Sequence, residues 1–244
     1  MTVACAPVME NAEVAPGVFL LRVRGQFWAE PGQFFMLRAW ERDPLLARPM
    51  SVFDLSSEAV AFAYAVRGRG TALLARLRPE DPVQLWGPLG QGWRRVPGRV
   101  ALVGGGMGLA PLLWTAKQFG RPLDVYLGFR QRPWMVEMFQ PVADHLYVTS
   151  EAGVPSCIQG LVTEAFSPEG YTALYACGPR PMLVELHRMC QRAGVTLYVS
   201  LEERMACGIG ACLGCTVWTR SGPKRVCRDG PVFPSGEVFV DALP

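Results

Sequence analysis

Cys207-Gly208-Ile209-Gly210-Ala211-Cys212-Leu213-Gly214-Cys215 is the stretch on which the interpretation of the whole chain depends, and a fourth cysteine follows at Cys227. The spacing, C-x4-C-x2-C-x11-C, is the plant-type pattern of four thiolate ligands to a 2Fe–2S cluster. Its three glycines suit a loop that curls round an inorganic core, because glycine tolerates positive φ and lets backbone N–H groups approach sulfur. Cys207, Cys212, Cys215 and Cys227 are therefore predicted to bind such a cluster.

Two other uses of these cysteines remain open, namely a structural zinc site and a disulfide framework. Structural zinc usually takes its ligands as two short pairs on separate arms, whereas here three cysteines share one loop. Disulfides are rare in the cytosol. The N-terminus has no basic and apolar leader pattern, and no run of about 20 apolar residues is present. We therefore expect a cytoplasmic protein without a membrane segment.

The charge of the chain gives no indication of a polyanionic partner. The formal net charge is +3 over 244 residues, and basic residues do not form long runs. We expect neither nucleic acid nor a membrane surface as a ligand. Half of the residues are hydrophobic, which is enough for two domains and a smaller lobe.

Short apolar runs separated by Gly, Pro and Asp occupy the first third of the chain. Five or six short strands within about ninety residues are typical of a small closed barrel. A helical pattern begins at Thr71, between the last two runs. The predicted strands are Val18–Val23, Phe34–Ala39, Met50–Leu55, Ala59–Val66 and Val83–Trp86.

Two segments of the predicted barrel carry groups that bind a diphosphate. Arg48-Pro49-Met50-Ser51 places a guanidinium before a strand and a hydroxyl three residues later, and Val66-Arg67-Gly68-Arg69-Gly70-Thr71 opens the predicted helix. A guanidinium fork and the N-terminus of a helix both attract phosphate oxygens. Each segment alone also fits a turn or a simple cap. Their order, ahead of a nucleotide-binding domain, indicates a shared ligand.

The pattern of a nucleotide-binding domain follows. The strand Arg99–Val103 runs directly into Gly104-Gly105-Gly106-Met107-Gly108-Leu109-Ala110-Pro111 and an apolar helix. Such a turn lets a diphosphate approach the backbone, although the G-x-G-x-x-G spacing is absent and tight packing alone is an alternative. Strand and helix patterns then alternate to Leu201, which predicts a parallel sheet covered on both faces. Cys177-Gly178-Pro179 ends the fourth strand, at the edge where ligands of such sheets bind.

These motifs resemble the ferredoxin–NADP reductase superfamily, whose first domain is a six-stranded antiparallel FAD barrel. The resemblance implies that Arg48, Pro49, Met50 and Ser51 contact FAD, with Arg48 at the phosphates and Ser51 beside the ring. It implies that Val66, Gly68, Gly70 and Thr71 meet the pyrophosphate. For NAD, the implied residues are Gly104, Gly105, Gly106, Gly108, Cys177, Gly178, Pro179 and Met182. Arg130 and Arg132 fit a 2′-phosphate, the adenine face or a surface carboxylate, so NADP stays open.

The run Glu202–Cys215 together with Arg225–Phe233 is closely similar to one family, the electron-transfer subunits of the NAD-linked bacterial dihydroorotate dehydrogenases. This resemblance implies a catalytic partner subunit that holds FMN, in a heterotetramer of two copies of each chain, in pyrimidine biosynthesis. Electrons would pass from FMN to the cluster, to FAD and to NAD. The alternative function is that of a reductase subunit serving ferredoxin or another acceptor with NAD(P)H.

The predicted architecture has three parts: an antiparallel six-stranded FAD-binding β-barrel at 1–96, a parallel α/β NAD-binding domain at 97–200, and a small 2Fe–2S lobe at 201–244. No residue is assigned a catalytic role by proton transfer or covalent attack. The only histidines are His145 and His187, and we expect His187 on the solvated face of its helix. The reaction is thus expected to depend on where the chain holds its cofactors.

Overall fold

The computed structural model describes residues 2–239, which form two seven-stranded sheets and a two-stranded hairpin. The first sheet belongs to the N-terminal part of the chain, and a short helix, α1 Arg69–Leu74, precedes its last strand. The strands are β1 Thr2–Ala15, β2 Val18–Arg24, β3 Phe34–Arg38, β4 Arg48–Ser51, β5 Asp54–Leu55, β6 Ala59–Ala65 and β7 Pro82–Leu89.

The first sheet is antiparallel throughout, in the order β4-β3-β7-β1-β2-β6-β5. Its two edges, β4 and β5, are consecutive in the chain and are separated only by Val52 and Phe53. Val52 N–H donates to Gln33 O at 3.0 Å and Phe53 N–H to Ala61 O at 2.9 Å. Both edges therefore belong to one bent segment, which closes the sheet on itself. The predicted antiparallel sheet is confirmed, although it has seven strands where six were predicted. The predicted strand Met50–Leu55 is divided by the bend.

The strand β1 was not predicted from the sequence, although it lies between β2 and β7. Pro7, Glu10, Asn11 and Glu13 interrupt its apolar pattern, so local periodicity does not reveal it. Its pairing depends instead on two distant neighbours. Val8 at its centre is fully buried in the core of the barrel.

The second sheet is built by the middle of the chain, with short 3-10 helices at Gly106–Leu109 and Val136–Phe139. Its α-helices are α2 Leu112–Phe119, α3 Val162–Ala165 and α4 Arg180–Ala193. Six of its strands are parallel to their neighbours, as predicted. These are β8 Val100–Gly105, β9 Leu123–Phe129, β10 His145–Ser150, β11 Ile158–Gln159, β12 Ala173–Cys177 and β13 Thr196–Ser200.

The strand order of the second sheet creates a crevice that the sequence did not reveal. In the order β11-β10-β9-β8-β12-β13, the chain starts at β8 and adds β9, β10 and β11 on one side of it. It then returns and adds β12 and β13 on the other side of β8. Open parallel sheets bind ligands outside the carboxyl ends of the strands at such a switch point. The glycine-rich turn follows β8 and Gly178 follows β12. The two predicted nucleotide motifs therefore meet at this crevice.

The opposite, amino edge of the same sheet holds a buried carboxylate. Asp124, whose side chain is 1% exposed, accepts hydrogen bonds from Arg99 Nη2 at 2.6 Å and from Tyr171 OH at 2.6 Å. His145 Nδ1 lies 2.9 Å from its other oxygen. Although burial raises the pKa of Asp124, its hydrogen-bond partners outweigh burial and lower that pKa. The ionised carboxylate therefore ties the starts of β8, β9 and β10 together.

The C-terminal part contains the hairpin β14 Thr216–Thr219 and β15 Gly222–Arg225, helix α5 Val226–Asp229, strand β16 Val232–Pro234 and helix α6 Ser235–Val238. It is attached to both preceding sheets. β16 pairs antiparallel with β13 and so becomes the last strand of the second sheet. Gln91 N–H, just after β7, donates to Gly230 O at 2.6 Å. The third predicted part is thus held by two separate contacts.

The expected position of His187 was wrong. This residue is 2% exposed, and its Nδ1 lies 2.9 Å from Ser235 Oγ of α6. The buried face of α4 consists of Leu183, Leu186, His187 and Cys190. This set has the helical spacing i, i+3, i+4, i+7, so the sequence did contain the signal. Among residues 2–239, no helix has the length and apolar character needed to cross a membrane.

Candidate functional site

The two segments predicted to hold FAD lie against each other. A methyl group added to Gly70 would lie 2.6 Å from both Cζ and Nε of Arg48. Glycine at position 70 therefore lets the guanidinium lie directly beside the first turn of α1. Arg48 Nη1 also donates to the carbonyl oxygens of Leu46 and Ala47, and its Cζ lies 5.5 Å from the ring centroid of Trp40. These contacts fix the cation at the start of the helix.

The hydroxyl of Thr71 shapes the turn that faces Arg48. Thr71 Oγ1 accepts hydrogen bonds from the N–H groups of Arg67 at 2.8 Å and Gly68 at 3.1 Å, and it donates to Gly68 O at 3.0 Å. The side chain is thus committed to its own backbone. Its contribution to an anion site lies in holding the turn, because a fixed turn presents its backbone without further loss of entropy.

The other predicted FAD residues lie near Arg48 and Gly70 in the sequence, but they differ in how far they are buried. Met50 is buried in the core of the barrel, so its side chain supports β4 from within. Pro49 and Ser51 are half-buried, and Ser51 pairs with Phe34 of β3. Val66 is exposed and donates its N–H to Gly17 O at 2.8 Å. Arg48, Gly70 and Thr71 are therefore the residues that the fold brings together.

The two predicted NAD motifs are in direct contact at the switch point. A methyl group added to Gly108 would lie 2.0 Å from Cys177 O and 2.7 Å from Gly178 Cα. A methyl group on Gly105 would lie 2.7 Å from Met182 Sδ and 2.8 Å from Pro179 Cδ. Glycine at these positions therefore allows the end of β8 to approach the start of α4 closely.

Gly106 differs from its neighbours in the same turn. It adopts a φ of +53°, which glycine tolerates without strain, and an added Cβ would meet nothing within 4 Å. The space beside it is therefore open. Gly104 instead packs under Leu112 of α2 and beside Leu127 of β9, and its added Cβ would lie 2.9 and 3.1 Å from them. One end of the turn is therefore packed, and the other is open.

Sequence reasoning did not single out two residues that border Cys177. Ser200 is the partner of Cys177 in the β12–β13 pairing, and Glu202 follows beyond the end of β13. Burial raises the pKa of the Cys177 thiol, and the Glu202 carboxylate raises it further, so Cys177 is a neutral thiol. Burial also raises the pKa of Glu202, while Arg67 of the first domain lowers it. The Glu202 carboxylate therefore lies within electrostatic range of Arg67, which precedes α1.

The four cysteines of the C-terminal part lie in two neighbouring pairs. Cys212 N–H donates to Cys207 Sγ at 3.4 Å, and Cys227 N–H donates to Cys215 Sγ at 3.4 Å. Gly210 N–H donates to Cys227 Sγ at 3.1 Å and so links the pairs. Among residues 2–239, no three or more His, Cys, Asp or Glu side chains are arranged to hold one metal ion. The structure therefore brings the predicted ligands together as pairs.

The thiols differ in charge and exposure. Burial raises the pKa of Cys207, but hydrogen bonds to its sulfur outweigh burial and lower that pKa to about 6. The donors are the backbone N–H groups of Cys212, Ile209 and Ala211. Burial and the neighbouring Cys215 raise the pKa of Cys227 to about 12. A thiolate at the buried Cys227 therefore needs a nearby cation, since an unpaired buried charge is costly. This donor set fits a metal cluster.

Glycine lets the cysteine loop lie against the first sheet. Gly208 has a φ of +72°, and an added Cβ would lie 2.8 Å from Met36 Cγ of β3 and 3.3 Å from Leu89 Cδ1 of β7. Gly210, at a φ of +82°, is similarly close to Arg228 Cδ at 2.8 Å. The inner side of the loop is therefore packed on the barrel, and Cys212 remains exposed on the outer side.

Comparison with known proteins gives matches over the C-terminal part and over the whole chain. The sequence model of the iron–sulfur cluster binding domain of dihydroorotate dehydrogenase B matches residues 202–239. The dihydroorotate dehydrogenase B (NAD(+)) electron transfer subunit of Clostridium acetobutylicum is 40% identical over 237 residues, which cover 96% of each chain. The protein of the same description from Caldanaerobacter subterraneus subsp. tengcongensis is 39% identical and matches 96% of this chain and 97% of its own.

A solved structure shares both the fold and a substantial part of the sequence. A chain of the NADH-dependent reduced ferredoxin-NADP oxidoreductase, described in connection with flavin-based electron bifurcation, has a TM-score of 0.88 and 30% identity. The alignment covers 98% of this chain and 91% of that chain. The prediction of a ferredoxin–NADP reductase-like fold is therefore confirmed. By its full-length relatives, the chain belongs to the family of electron-transfer subunits of dihydroorotate dehydrogenase B (NAD(+)).

Proposed function

We propose that this chain carries electrons between a catalytic dihydroorotate dehydrogenase subunit and NAD by means of a 2Fe–2S cluster and FAD. The observation that carries the proposal is the placement of the cysteine loop directly on the wall of the first sheet, at Met36 and Leu89. The same sheet positions Arg48 beside α1, and the second sheet places its glycine-rich turn at a ligand crevice. Three candidate cofactor sites are thus adjacent in one chain.

The order of the cofactors follows from their chemistry. A nicotinamide exchanges a hydride, an iron–sulfur cluster exchanges single electrons, and a flavin exchanges both. FAD therefore belongs between the other two. The chain contributes placement: Met36 and Leu89 of the first sheet contact the cysteine loop. Ala61 and Ala63 of β6 pack in one core with Leu109, beside the glycine-rich turn.

Cys207, Cys212, Cys215 and Cys227 are the proposed cluster ligands. A 2Fe–2S cluster takes four thiolates, two for each iron, and the cysteines already lie as the pairs Cys207/Cys212 and Cys215/Cys227. Backbone N–H groups directed at Cys207 and Cys227 would stabilise the bound sulfurs. This arrangement supports an iron–sulfur cluster over a zinc site, in which four ligands surround one ion.

The proposed FAD site is centred on Arg48, whose guanidinium is held at Gly70 and Thr71 and would pair with the diphosphate. Ser51 would lie toward the ring, and the neighbouring Pro49, Met50, Val66 and Gly68 would complete the walls. The proposed NAD site is the crevice formed by Gly104, Gly105, Gly106 and Gly108 with Cys177, Gly178, Pro179 and Met182. The neutral thiol of Cys177 supports packing beside the nicotinamide and no covalent role.

The partner implied by the family is the catalytic dihydroorotate dehydrogenase subunit. We infer that this subunit holds FMN, that two copies of each chain form a heterotetramer, and that the three parts of this chain follow the ranges 1–96, 97–200 and 201–244. Residues 1 and 240–244 lie outside the described part of the chain. Electrons taken from dihydroorotate would enter at the cluster and leave as hydride on NAD.

The second candidate is a reductase subunit serving ferredoxin or another acceptor. The 30% identity to a chain of the NADH-dependent reduced ferredoxin-NADP oxidoreductase favours it. The 40% identity to a dihydroorotate dehydrogenase subunit favours the first function. Mixing the purified chain with the catalytic subunit separates them: the first function requires that NAD-linked oxidation of dihydroorotate depends on this chain.

Cys212→Ser tests the relay itself. We expect this variant to lose electron transfer to the catalytic subunit by at least about 100-fold, because one cluster ligand is lost, while NADH still reduces FAD at a similar rate. Stopped-flow reduction of FAD by NADH and steady-state dihydroorotate oxidation measure the two steps. An equal loss in both steps would contradict the relay and indicate that the cluster only supports the fold.

A further inference from the structure

The cysteine loop has no charged side chain of its own. Between positions 207 and 219 the sequence contains no Asp, Glu, Lys or Arg. Four thiolates that bind a 2Fe–2S cluster leave an excess of negative charge in this loop, and each added electron increases it. The fixed charges that act on that excess therefore come from outside the loop. Arg225, the last residue of β15, is the cation whose guanidinium donates to the loop.

The hairpin places Arg225 between the two segments that carry the last two cysteines. Arg225 pairs with Thr216, which directly follows Cys215, and it precedes Cys227 by two residues. Its Nη1 donates to Gly210 O at 3.4 Å. Gly210 N–H in turn donates to Cys227 Sγ at 3.1 Å. The guanidinium is therefore held against the loop that bears the proposed ligands.

The peptide group between Gly210 and Ala211 links the guanidinium to a further sulfur. Its carbonyl oxygen accepts from Arg225 Nη1, and its N–H, which belongs to Ala211, is one of the donors to Cys207. A donor at the carbonyl end polarises a peptide group and strengthens the hydrogen bond that its N–H makes. Nearby charge and hydrogen bonds to the sulfurs both shift the reduction potential of an iron–sulfur cluster. Arg225 is placed to act in both ways.

Asp229 fixes the guanidinium and opposes its charge. Its Oδ2 accepts from Arg225 N–H at 2.7 Å and from Arg225 Nε at 3.1 Å, and its Oδ1 accepts from Nη2 at 3.4 Å. The two side chains are 29% and 26% exposed, so salt screens them less than a surface pair. The hydrogen bond to Asp229 raises the pKa of Arg225, and the charges of Cys227 and Cys215 raise it further. Two opposite charges of fixed position thus lie within range of the sulfurs.

We propose that Arg225 and Asp229 set the reduction potential of the 2Fe–2S cluster, in opposite directions. This inference rests on the proposed function, in which one electron passes from a reduced flavin of the catalytic subunit to the cluster. The flavin is oxidised by one electron, and the negative charge at the four sulfurs increases by one. A fixed cation stabilises that state and a fixed carboxylate destabilises it. Arg225 therefore favours uptake of the electron, and Asp229 favours its release to FAD.

The test is a redox titration of the holo-chain in which the reduced cluster is measured by electron paramagnetic resonance. Arg225→Gln is expected to lower the equilibrium constant for reduction about tenfold, which is about 59 mV for one electron. Asp229→Asn is expected to raise that constant, since asparagine keeps an acceptor oxygen for Arg225 but loses the charge. The double variant removes a neutral pair and should have a potential close to that of wild type.

Two further variants separate the charge of Arg225 from its hydrogen bonds and from the charge of the whole lobe. Arg225→Lys keeps the charge without the guanidinium fork, so its potential should lie between those of wild type and Arg225→Gln. Arg220 lies between β14 and β15 at the far end of the same hairpin and is exposed. Arg220→Gln is therefore the matched control, with a potential close to that of wild type. Iron and acid-labile sulfide, measured for each variant, verify that the cluster is intact.

The sign of each shift decides the outcome. An unchanged potential in Arg225→Gln, or equal shifts in Arg225→Gln and Arg220→Gln, would overturn the assignment. If Arg225→Gln does not retain iron, Asp229→Asn decides alone: a raised potential supports the proposal, and an unchanged or lowered one overturns it. A wild-type chain that holds no iron and sulfide after anaerobic reconstitution would instead overturn the proposed function.

Discussion

Gly70→Ala is the most direct test of the proposed FAD site, because it adds one methyl group at the point where two distant segments meet. The new Cβ would lie 2.6 Å from Cζ and Nε of Arg48, which is closer than a Cβ approaches atoms to which it is not bonded. The obstructed atoms belong to the end of a flexible side chain. The guanidinium must therefore move away from α1, while the barrel is expected to remain folded.

The magnitude follows from the bond that is displaced. A charge-assisted hydrogen bond contributes about 1.5–3 kcal/mol, so loss of the Arg48 contact is expected to raise the Kd for FAD by about 10- to 150-fold. The effect on folding has the opposite sign. Alanine is a better helix former than glycine by up to about 1 kcal/mol, and position 70 lies inside α1 without a positive φ. The variant should bind FAD more weakly without losing stability.

The assay is a titration of the flavin-free protein with FAD, followed by the quenching of flavin fluorescence, beside urea unfolding of the same samples. Arg48→Ala and the double variant complete a cycle. Because both substitutions remove the same contact, the double variant should bind FAD about as weakly as either single variant. Gly236→Ala is the control, since an added Cβ there meets nothing within 4 Å.

Three results would refute the reasoning. If Gly70→Ala keeps wild-type affinity while Arg48→Ala loses it, then the guanidinium binds FAD from another position than the one beside α1. If the two losses add in the double variant, Gly70 and Arg48 act through separate contacts. A fall in unfolding free energy that accounts for the weaker binding would show that the added methyl group disturbs the barrel itself.

Three further predictions concern the second sheet and its surroundings. Gly108→Ala should weaken NADH binding more than tenfold in a stopped-flow titration. Its methyl group would lie 2.0 Å from the backbone oxygen of Cys177, which cannot move away as a side chain can. Wild-type affinity for NADH would show that the turn does not face the nucleotide. Asp124→Asn should lower the urea-derived unfolding free energy at pH 7 by about 1–3 kcal/mol. Since the folded-state pKa of Asp124 is lowered, its stabilisation is complete above about pH 4 and is lost as pH falls through the folded pKa. The unfolding free energy of the variant should therefore fall less steeply with acidification than that of wild type. An equally steep fall in both proteins would count against this assignment. Burial, and secondarily Arg188, lowers the pKa of His187, so the folded protein should lose stability as pH falls below about 6.5. His187→Gln should lose this dependence, which urea midpoints measured at pH 7.5 and 5.5 would show. An equal change of midpoint between the two pH values in wild type and variant would contradict this prediction.

Local patterns in the sequence predicted much of the fold, because the strands and helices that bury one face leave a periodic trace. The cysteine spacing was equally informative, since three thiolates on one short loop can converge on a cluster only at a few spacings. The glycines at 105 and 108 were recognised as a turn. Their contacts with Met182 and Cys177 depend on strand order, which no local pattern encodes.

The features that sequence reasoning missed are those set by distant pairing. β1 carries Pro7 and Glu10 in a strand whose place depends on β2 and β7. Glu202 borders Cys177 because β13, which ends at Ser200, pairs with β12. His187 was an error of a different kind. Its spacing from Leu183 and Cys190 indicated burial, but a polar side chain was assumed to face solvent, and Ser235 supplies its partner.

The double attachment of the C-terminal part determines how electrons can cross the molecule. Gly230 O accepts from Gln91 N–H of the first domain at 2.6 Å, and the adjacent Pro231 O accepts from Leu201 N–H at the end of β13 at 2.9 Å. One dipeptide therefore joins both domains three residues after Cys227. A carrier domain on a flexible linker would have to diffuse between its two partners, whereas a loop tied at this point keeps one side on the barrel. Electron transfer between cluster and FAD then occurs over a fixed distance, so its rate should not respond to solvent viscosity.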